Sequence, residues 1–169
     1  MRKYLDFNNF IIFDGAMGTM LQSRGLKAGE FPESYNFTHP DIIRSIHSEY
    51  VAAGADIITT NTFGANRYKL ANSGLIVKDV VAQAVKIARK AAGGKLVALD
   101  VGPTGKLMKP HGDLSFEDAY RAFSEQIVAG EAAGADLILI ETMSDVYEAK
   151  AAILAAKENS KLPVICTMT

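Results

Sequence analysis

Two rhythms of hydrophobic positions alternate along the chain. Short, wholly apolar runs rich in β-branched residues are followed by longer stretches in which apolar residues return at helical spacing. The first rhythm predicts buried strands and the second amphipathic helices. Strands are expected at 10–13, 56–64, 96–100, 136–142 and 162–169. A short helix from Met17 to Arg24 is closed by Gly25, and 27–36 reads as a loop broken by Gly29 and Pro32. The first long helix starts at Thr38-His39-Pro40-Asp41, where Thr38 and Asp41 have capping-box spacing, and carries Ile42, Ile43, Ile46, Tyr50 and Val51 on one stripe up to Gly54. Further helices are expected from Val77 to Ala92, from a cap at Ser115 through Gly130 or Gly134, and from a cap at Ser144-Asp145 through Ala156.

One joint occurs twice. Val51-Ala-Ala-Gly-Ala-Asp-Ile-Ile and Glu131-Ala-Ala-Gly-Ala-Asp-Leu-Ile both place a glycine where a helix must stop and an apolar strand begin, as a repeated βα unit requires. Alternating short strands and long helices imply a parallel sheet covered by helices, either a barrel wall or a doubly wound sheet. Five strands in 169 residues suit an open sheet, because a closed eight-stranded barrel takes about 250 residues. The strand ends favour the barrel. Asp14, Asn61, Asp100 and Glu141 close successive strands, as residues lining a common rim would.

Asp14 is followed by Gly15-Ala16-Met17-Gly18, a turn whose glycines leave backbone N–H groups open to a small anion beside the acid. Asp14 and Glu141 together could hold a substrate ammonium group or act as the acid and base of a hydrolase or lyase, and the residues alone do not separate the two. Asp100 reads equally as a cap on its Gly-Pro turn. Asn61 and Thr62 read equally as loop-ordering hydrogen bonders or substrate contacts.

Composition narrows the classes. A formal net charge of -1 with dispersed lysines and arginines favours neither nucleic acid nor an anionic membrane as partner. No phosphate-binding glycine motif is present. His39, His47 and His111 lack metal-ligand spacing and read as surface or capping residues, and the single cysteine, Cys166, reads as a small buried thiol within a strand. No lysine ends a strand, which disfavours Schiff-base chemistry. The start, Met1 to Asp6, is basic without the apolar run of a signal peptide, and no stretch reaches the ~18 apolar residues of a spanning helix, so a cytoplasmic protein is expected.

Asp-Gly-Ala-Met-Gly-Thr at 14–19, Thr-Asn-Thr-Phe-Gly-Ala at 60–65, Asp-Val-Gly-Pro-Thr-Gly at 100–105 and Glu-Thr-Met-Ser-Asp at 141–145 resemble, in order and spacing, the homocysteine S-methyltransferase family, and most of all its cobalamin-dependent branch. The resemblance implies a TIM (βα)₈ barrel in which zinc, held by three cysteine thiolates, activates the homocysteine thiol for methyl transfer. A free thiol with a pKa of ~8.5 is mostly protonated at neutral pH, and coordination removes its proton. It also implies that Asp14 and Glu141 face the substrate ammonium group, that the backbone at Gly15 and Ala16 receives its carboxylate, and that Asn61, Thr62 and Asp100 line the same mouth.

The family's zinc cysteines lie in later strands, beyond Thr169, so no catalytic or metal-ligating residue is expected within this chain. Residues 1–169 are expected to form one partial barrel domain of about four βα units plus a fifth strand. Such a domain would be inactive alone, need the rest of the barrel, and tend to self-associate through exposed strand edges. Cobalamin and methyltetrahydrofolate would be carried by other modules. A non-catalytic binding or assembly module is the alternative from another class.

Overall fold

The computed structural model describes residues 10–169, so the basic start at Met1 to Asp6 lies outside the described residues. Four strands, β1 (Ile57–Thr59), β2 (Leu96–Val101), β3 (Leu137–Met143) and β4 (Val164–Met168), form one sheet. All neighbours pair in parallel, in the order β1-β2-β3-β4. That order is sequential, with no reversal. A doubly wound sheet has a switch point where strand order turns back, whereas a barrel wall advances by one strand per βα unit.

The helices are α1 (Met17–Ser23), the single turn α2 (Tyr35–Thr38), α3 (Pro40–Ala52), α4 (Val77–Ala91), α5 (Phe116–Ala133) and α6 (Val146–Asn159). The repeated joint is real in three dimensions. Gly54 and Gly134 adopt φ of 106° and 92°, and behind each the following alanine donates back into the last helical turn, Ala55 to Tyr50 and Ala135 to Gly130. A left-handed residue at that point favours glycine because it lacks a Cβ. The aspartates after the glycines also match: Asp56 accepts from Ile12 N–H at 3.2 Å and Asp136 from Val97 N–H at 2.8 Å, each tying the start of one strand to its predecessor.

The strands alternate with period two. Val97, Leu99, Val101, Ile138, Ile140 and Met143 face the helices; Leu99, Val101, Ile138, Ile140 and Met143 join Phe123, Ile127, Val81 and Val85 in the main core. Ile57, Ala98, Leu137 and Leu139 face the other way, with Phe13 and Ile165 beside them, as the lining of a barrel interior. Helix α5 lies close enough on β2 that a Cβ on Gly130 would stand 2.4 Å from Leu99, so glycine there sets the contact distance.

Three expectations are corrected. The run at 10–13 makes a single parallel bridge, Phe13 to Ile57, rather than a strand: its ladder is Asp14 N–H to the Ile57 carbonyl and Ile57 N–H to the Ile12 carbonyl, and on either side Ile12 N–H and Thr59 N–H turn to the Asp56 and Asp14 carboxylates. Thr38 does not cap α3: its hydroxyl donates to the Ser34 carbonyl at 3.1 Å, His39 occupies the cap position without a side-chain bond to the helix N–H groups, and Asp41 pairs with Arg44 instead. His47 is neither on the surface nor a cap. It is fully buried on α3 with neither ring nitrogen bonded, and burial depresses its pKa to about 4.

Ser115 and Asp145 do cap α5 and α6, accepting from Asp118 N–H and from Tyr147 and Glu148 N–H respectively. Among the described residues no helix is long and apolar enough to cross a membrane.

Candidate functional site: an acidic cavity at the strand ends

At the C-terminal ends of the strands the inner face changes from apolar to acidic. A cavity of about 500 Å³ opens there, lined by Asp14, Gly15, Ala16, Thr59, Asp100 and Glu141 above a floor that includes Phe13, Leu139 and Ile165. Strand register explains the convergence. Asp100 pairs with Leu139 across β2 and β3, so Asp100 and Glu141, two residues beyond Leu139, point to the same side.

Asp14 is held by Thr59, whose backbone N–H donates to Oδ2 at 2.9 Å and whose hydroxyl donates to Oδ1 at 3.1 Å. Burial outweighs these bonds and, with the nearby Glu141 charge, pushes the Asp14 pKa up to about 6. The turn behind it is fixed by Tyr50, which donates to the Ala16 carbonyl at 3.1 Å. A Cβ on Gly15 would stand 2.9 Å from the Tyr50 hydroxyl oxygen, so a side chain there would displace the end of the Tyr50 ring that holds the turn.

Asp100 is 6% exposed and its Oδ1 has no hydrogen-bond partner. Its backbone is held on both sides: its N–H donates to Thr60 Oγ1 at 3.1 Å, and its carbonyl accepts from Thr62 Oγ1 at 2.7 Å and from Gln126 Nε2 at 3.0 Å. Burial, reinforced by the charges of Glu141, Asp14 and Glu33, raises its pKa well above the usual carboxylate range, against a smaller opposing effect of Lys69. Burial raises Glu141 too, opposed by a hydrogen bond with Asp100. Three carboxylates thus share one concave, partly dry space, an arrangement that favours a cationic guest or retained protons.

Asn61 and Thr62 stand outside the cavity lining. Asn61 donates to the Pro32 carbonyl at 2.8 Å and to Asn36 Oδ1 at 3.2 Å, tying the loop after β1 to the turn before α2 and to α2 itself. Thr62 bonds Thr60 Oγ1 and the Asp100 carbonyl, so it reaches the site through the backbone of the acid.

Thr59, Tyr50 and Gln126 escaped sequence reasoning. Thr59 had a signal, since it stands two residues beyond the inward-facing Ile57, but Tyr50 and Gln126 act across the fold and leave none. Cys166 lies on β4 against the helix-side core, only partly buried, with its thiol raised by burial. Among the described residues no three histidine, cysteine, aspartate or glutamate side chains are grouped to hold a metal ion. The thiolate donors that the resemblance implies are not offered at the cavity by this chain's own residues.

Known proteins agree with this architecture. Methionine synthases from Mycobacterium leprae and Mycobacterium tuberculosis are each 33% identical over 162 residues, covering 87% of this chain and 13% and 14% of their own lengths. The crystal structure of the homocysteine methyltransferase MmuM from Escherichia coli in its oxidized form superposes with a TM-score of 0.82 at 27% identity, over 93% of this chain and 61% of that one. Its metallated form gives 0.75 at 29% identity, over 90% and 61%. The chain therefore spans about three fifths of MmuM and a small part of the methionine synthases. The family profile described as Homocysteine S-methyltransferase matches residues 11–169, and the chain belongs to that family.

Proposed function

We propose that this chain is the amino-acid-binding part of a methyltransferase that methylates the thiol of homocysteine to give methionine. The observation that carries the reading is the convergence of Asp14, Asp100 and Glu141, from three separate segments, on one cavity at the strand ends. Asp14 and Glu141 receive the substrate ammonium group by charge-assisted hydrogen bonds, the backbone at Gly15 and Ala16 receives its carboxylate, and Asp100 completes the acidic wall. Asn61 and Thr62 serve the site by ordering its loop. Family membership favours methyl transfer over a carboxylate-pair hydrolase or lyase.

Methyl transfer belongs to the complete domain, with residues 1–169 a partial barrel and the rest of the barrel as its partner; the greater length of MmuM supports this. In this reading a zinc held by cysteines of the rest of the barrel would supply the activation of the thiol, and the existence of a metallated MmuM supports a metal in the family. The residues present do not fit a thiolate-bound zinc, so their part is to bind and orient the amino acid. We extend the proposal, through the resemblance to the cobalamin-dependent branch, to cobalamin and methyltetrahydrofolate on other modules and to a cytoplasmic location, and the name of the methionine synthase relatives supports a place in methionine biosynthesis.

The test is NMR titration of the chain with L-homocysteine beside 1-propanethiol, which has the thiol but neither charged group. Shifts at Gly15, Ala16 and Glu141 with homocysteine alone are expected, and Glu141→Gln weakens them. Equal response to both ligands, or none to homocysteine, overturns the reading.

A further inference from the structure

Just past Glu141, β3 carries one residue more than its neighbour. Ile138, Leu139 and Ile140 pair with Val164, Ile165 and Cys166, and pairing resumes at Met143 with Met168. Glu141 and Thr142 therefore stand against Thr167 alone, which is a β-bulge. Thr142 adopts φ of 59° and is the one non-glycine residue at positive φ among the described residues. For a β-branched side chain that is a strained backbone. Its side chain is exposed, so the residue acts through its main chain.

The extra residue solves a conflict of faces. Strict alternation after the inward Leu139 and the outward Ile140 turns Glu141 inward and then sends Met143 inward as well; counted back from a Met143 held in the core, it turns Glu141 away from the cavity. With the bulge, Glu141 lines the cavity while Met143 remains fully buried in the helix-side core. The bulge is fastened to β4 from both sides: Thr142 N–H donates to Thr167 Oγ1 at 3.3 Å and Thr169 N–H to the Met143 carbonyl at 3.0 Å. Thr167 itself lines the cavity. Bulges re-aim side chains beside functional sites, and strain held by surrounding structure marks a position selected for geometry.

We propose that Thr142 is a positioning residue, whose left-handed bulge, fastened to Thr167, aims the Glu141 carboxylate into the acidic cavity. For ligand binding this rests on the reading of that cavity as the homocysteine site. Three variants test it. Glycine accepts the left-handed conformation but also many others, while asparagine tolerates it with fewer alternatives. Thr142→Gly is expected to weaken homocysteine binding about fivefold, Thr142→Asn to stay within about twofold of the parent, and Glu141→Gln to weaken it more than about tenfold.

A second readout is independent of ligand: ¹³C NMR titration of the Glu141 carboxyl. In Thr142→Gly its midpoint should fall toward that of an ordinary glutamate, as the side chain leaves Asp100 and the cavity; in Thr142→Asn it should not. An unchanged midpoint in Thr142→Gly, or an equal fall in Thr142→Asn, overturns the proposal. A falling midpoint with Glu141→Gln silent toward homocysteine leaves the positioning role standing and overturns the substrate reading instead.

Discussion

The two faces of the same four strands are built to different rules. On the helix side, β2 and β3 present only apolar groups, all of them buried. On the inner side the same strands begin apolar, at Ala98, Leu137 and Leu139, and end in Asp100 and Glu141. Adjacent residues therefore answer to different demands. Leu99 is where it is because the fold needs it. Asp100 is buried with one oxygen unpaired, an arrangement that costs stability and so points to function.

The sharpest way to break that contrast is to truncate neighbours across the sheet. Leu99→Ala removes a fully buried side chain packed against α5 and should lower the unfolding free energy by about 2–5 kcal/mol, read by urea denaturation. Asp100→Asn removes the tendency to charge without changing the side chain's size. It should leave stability at pH 7 equal to or above the parent's, because the buried acid costs stability there, while weakening homocysteine binding several-fold. If Asp100→Asn destabilised as much as Leu99→Ala, the inner acids would be part of the fold's framework and the contrast would fail.

Acidification separates the two regions by sign. His47, on α3, has its pKa depressed from 6.5 to about 4 by burial. Its contribution is present above pH 6.5 and is lost as pH falls toward 4, amounting to about 3 kcal/mol at 1.36 kcal/mol per unit. Asp14 behaves oppositely. Its pKa is raised from 3.8 to about 6, so its contribution is full below pH 3.8 and is lost as pH rises through 6, by a similar or smaller amount of about 2–3 kcal/mol. Asp100, Glu141 and Glu33, also raised by burial, add to the Asp14 direction.

The parent should therefore gain stability as pH falls from 6.5 to 4, with His47 offsetting part of what the buried acids contribute. In His47→Leu the rise should be steeper than the parent's. In Asp14→Asn it should be shallower. Denaturant midpoints across that range are the measurement, and parallel profiles for the two variants would mean that the groups do not titrate as their burial dictates.

The pattern of this contrast was legible in the chain where local chemistry governs. Strand and helix order, the two glycine joints, the caps at Ser115 and Asp145, and the approach of Asp14, Asp100 and Glu141 to one rim all follow from period, turn residues and strand-end acids. His47 was not legible, because its burial is decided by segments far away in sequence; Tyr35, Leu21 and Ile87 form the core beside its own helix. Thr59 looked like one of several polar residues ending a strand, and only the pairing with Asp14 distinguishes it. Nor does anything in Glu-Thr-Met announce a bulge, since register depends on the neighbouring strand. The short ladder at 10–13 likewise depends on residues far along the chain, Asp56 and Thr59.

The smallest expected effect tests whether an acid close to Glu141 in sequence belongs to the site. Asp145 follows Glu141 by four residues at the same end of the sheet, yet its Oδ1 accepts from Tyr147 N–H at 2.7 Å and Glu148 N–H at 3.1 Å. Those bonds satisfy orphan donors of α6, so the carboxylate is committed to the helix rather than the cavity. Asp145→Ala should cost about 1 kcal/mol of stability, as loss of an N-cap does, and leave homocysteine affinity within about twofold. Asp145→Ser, which can cap without charge, should recover most of the stability. A several-fold loss of affinity in both variants would show that the acidic wall extends past β3 into the start of α6. The division between residues that hold the fold and residues that hold the ligand would then run through α6 rather than along the sheet.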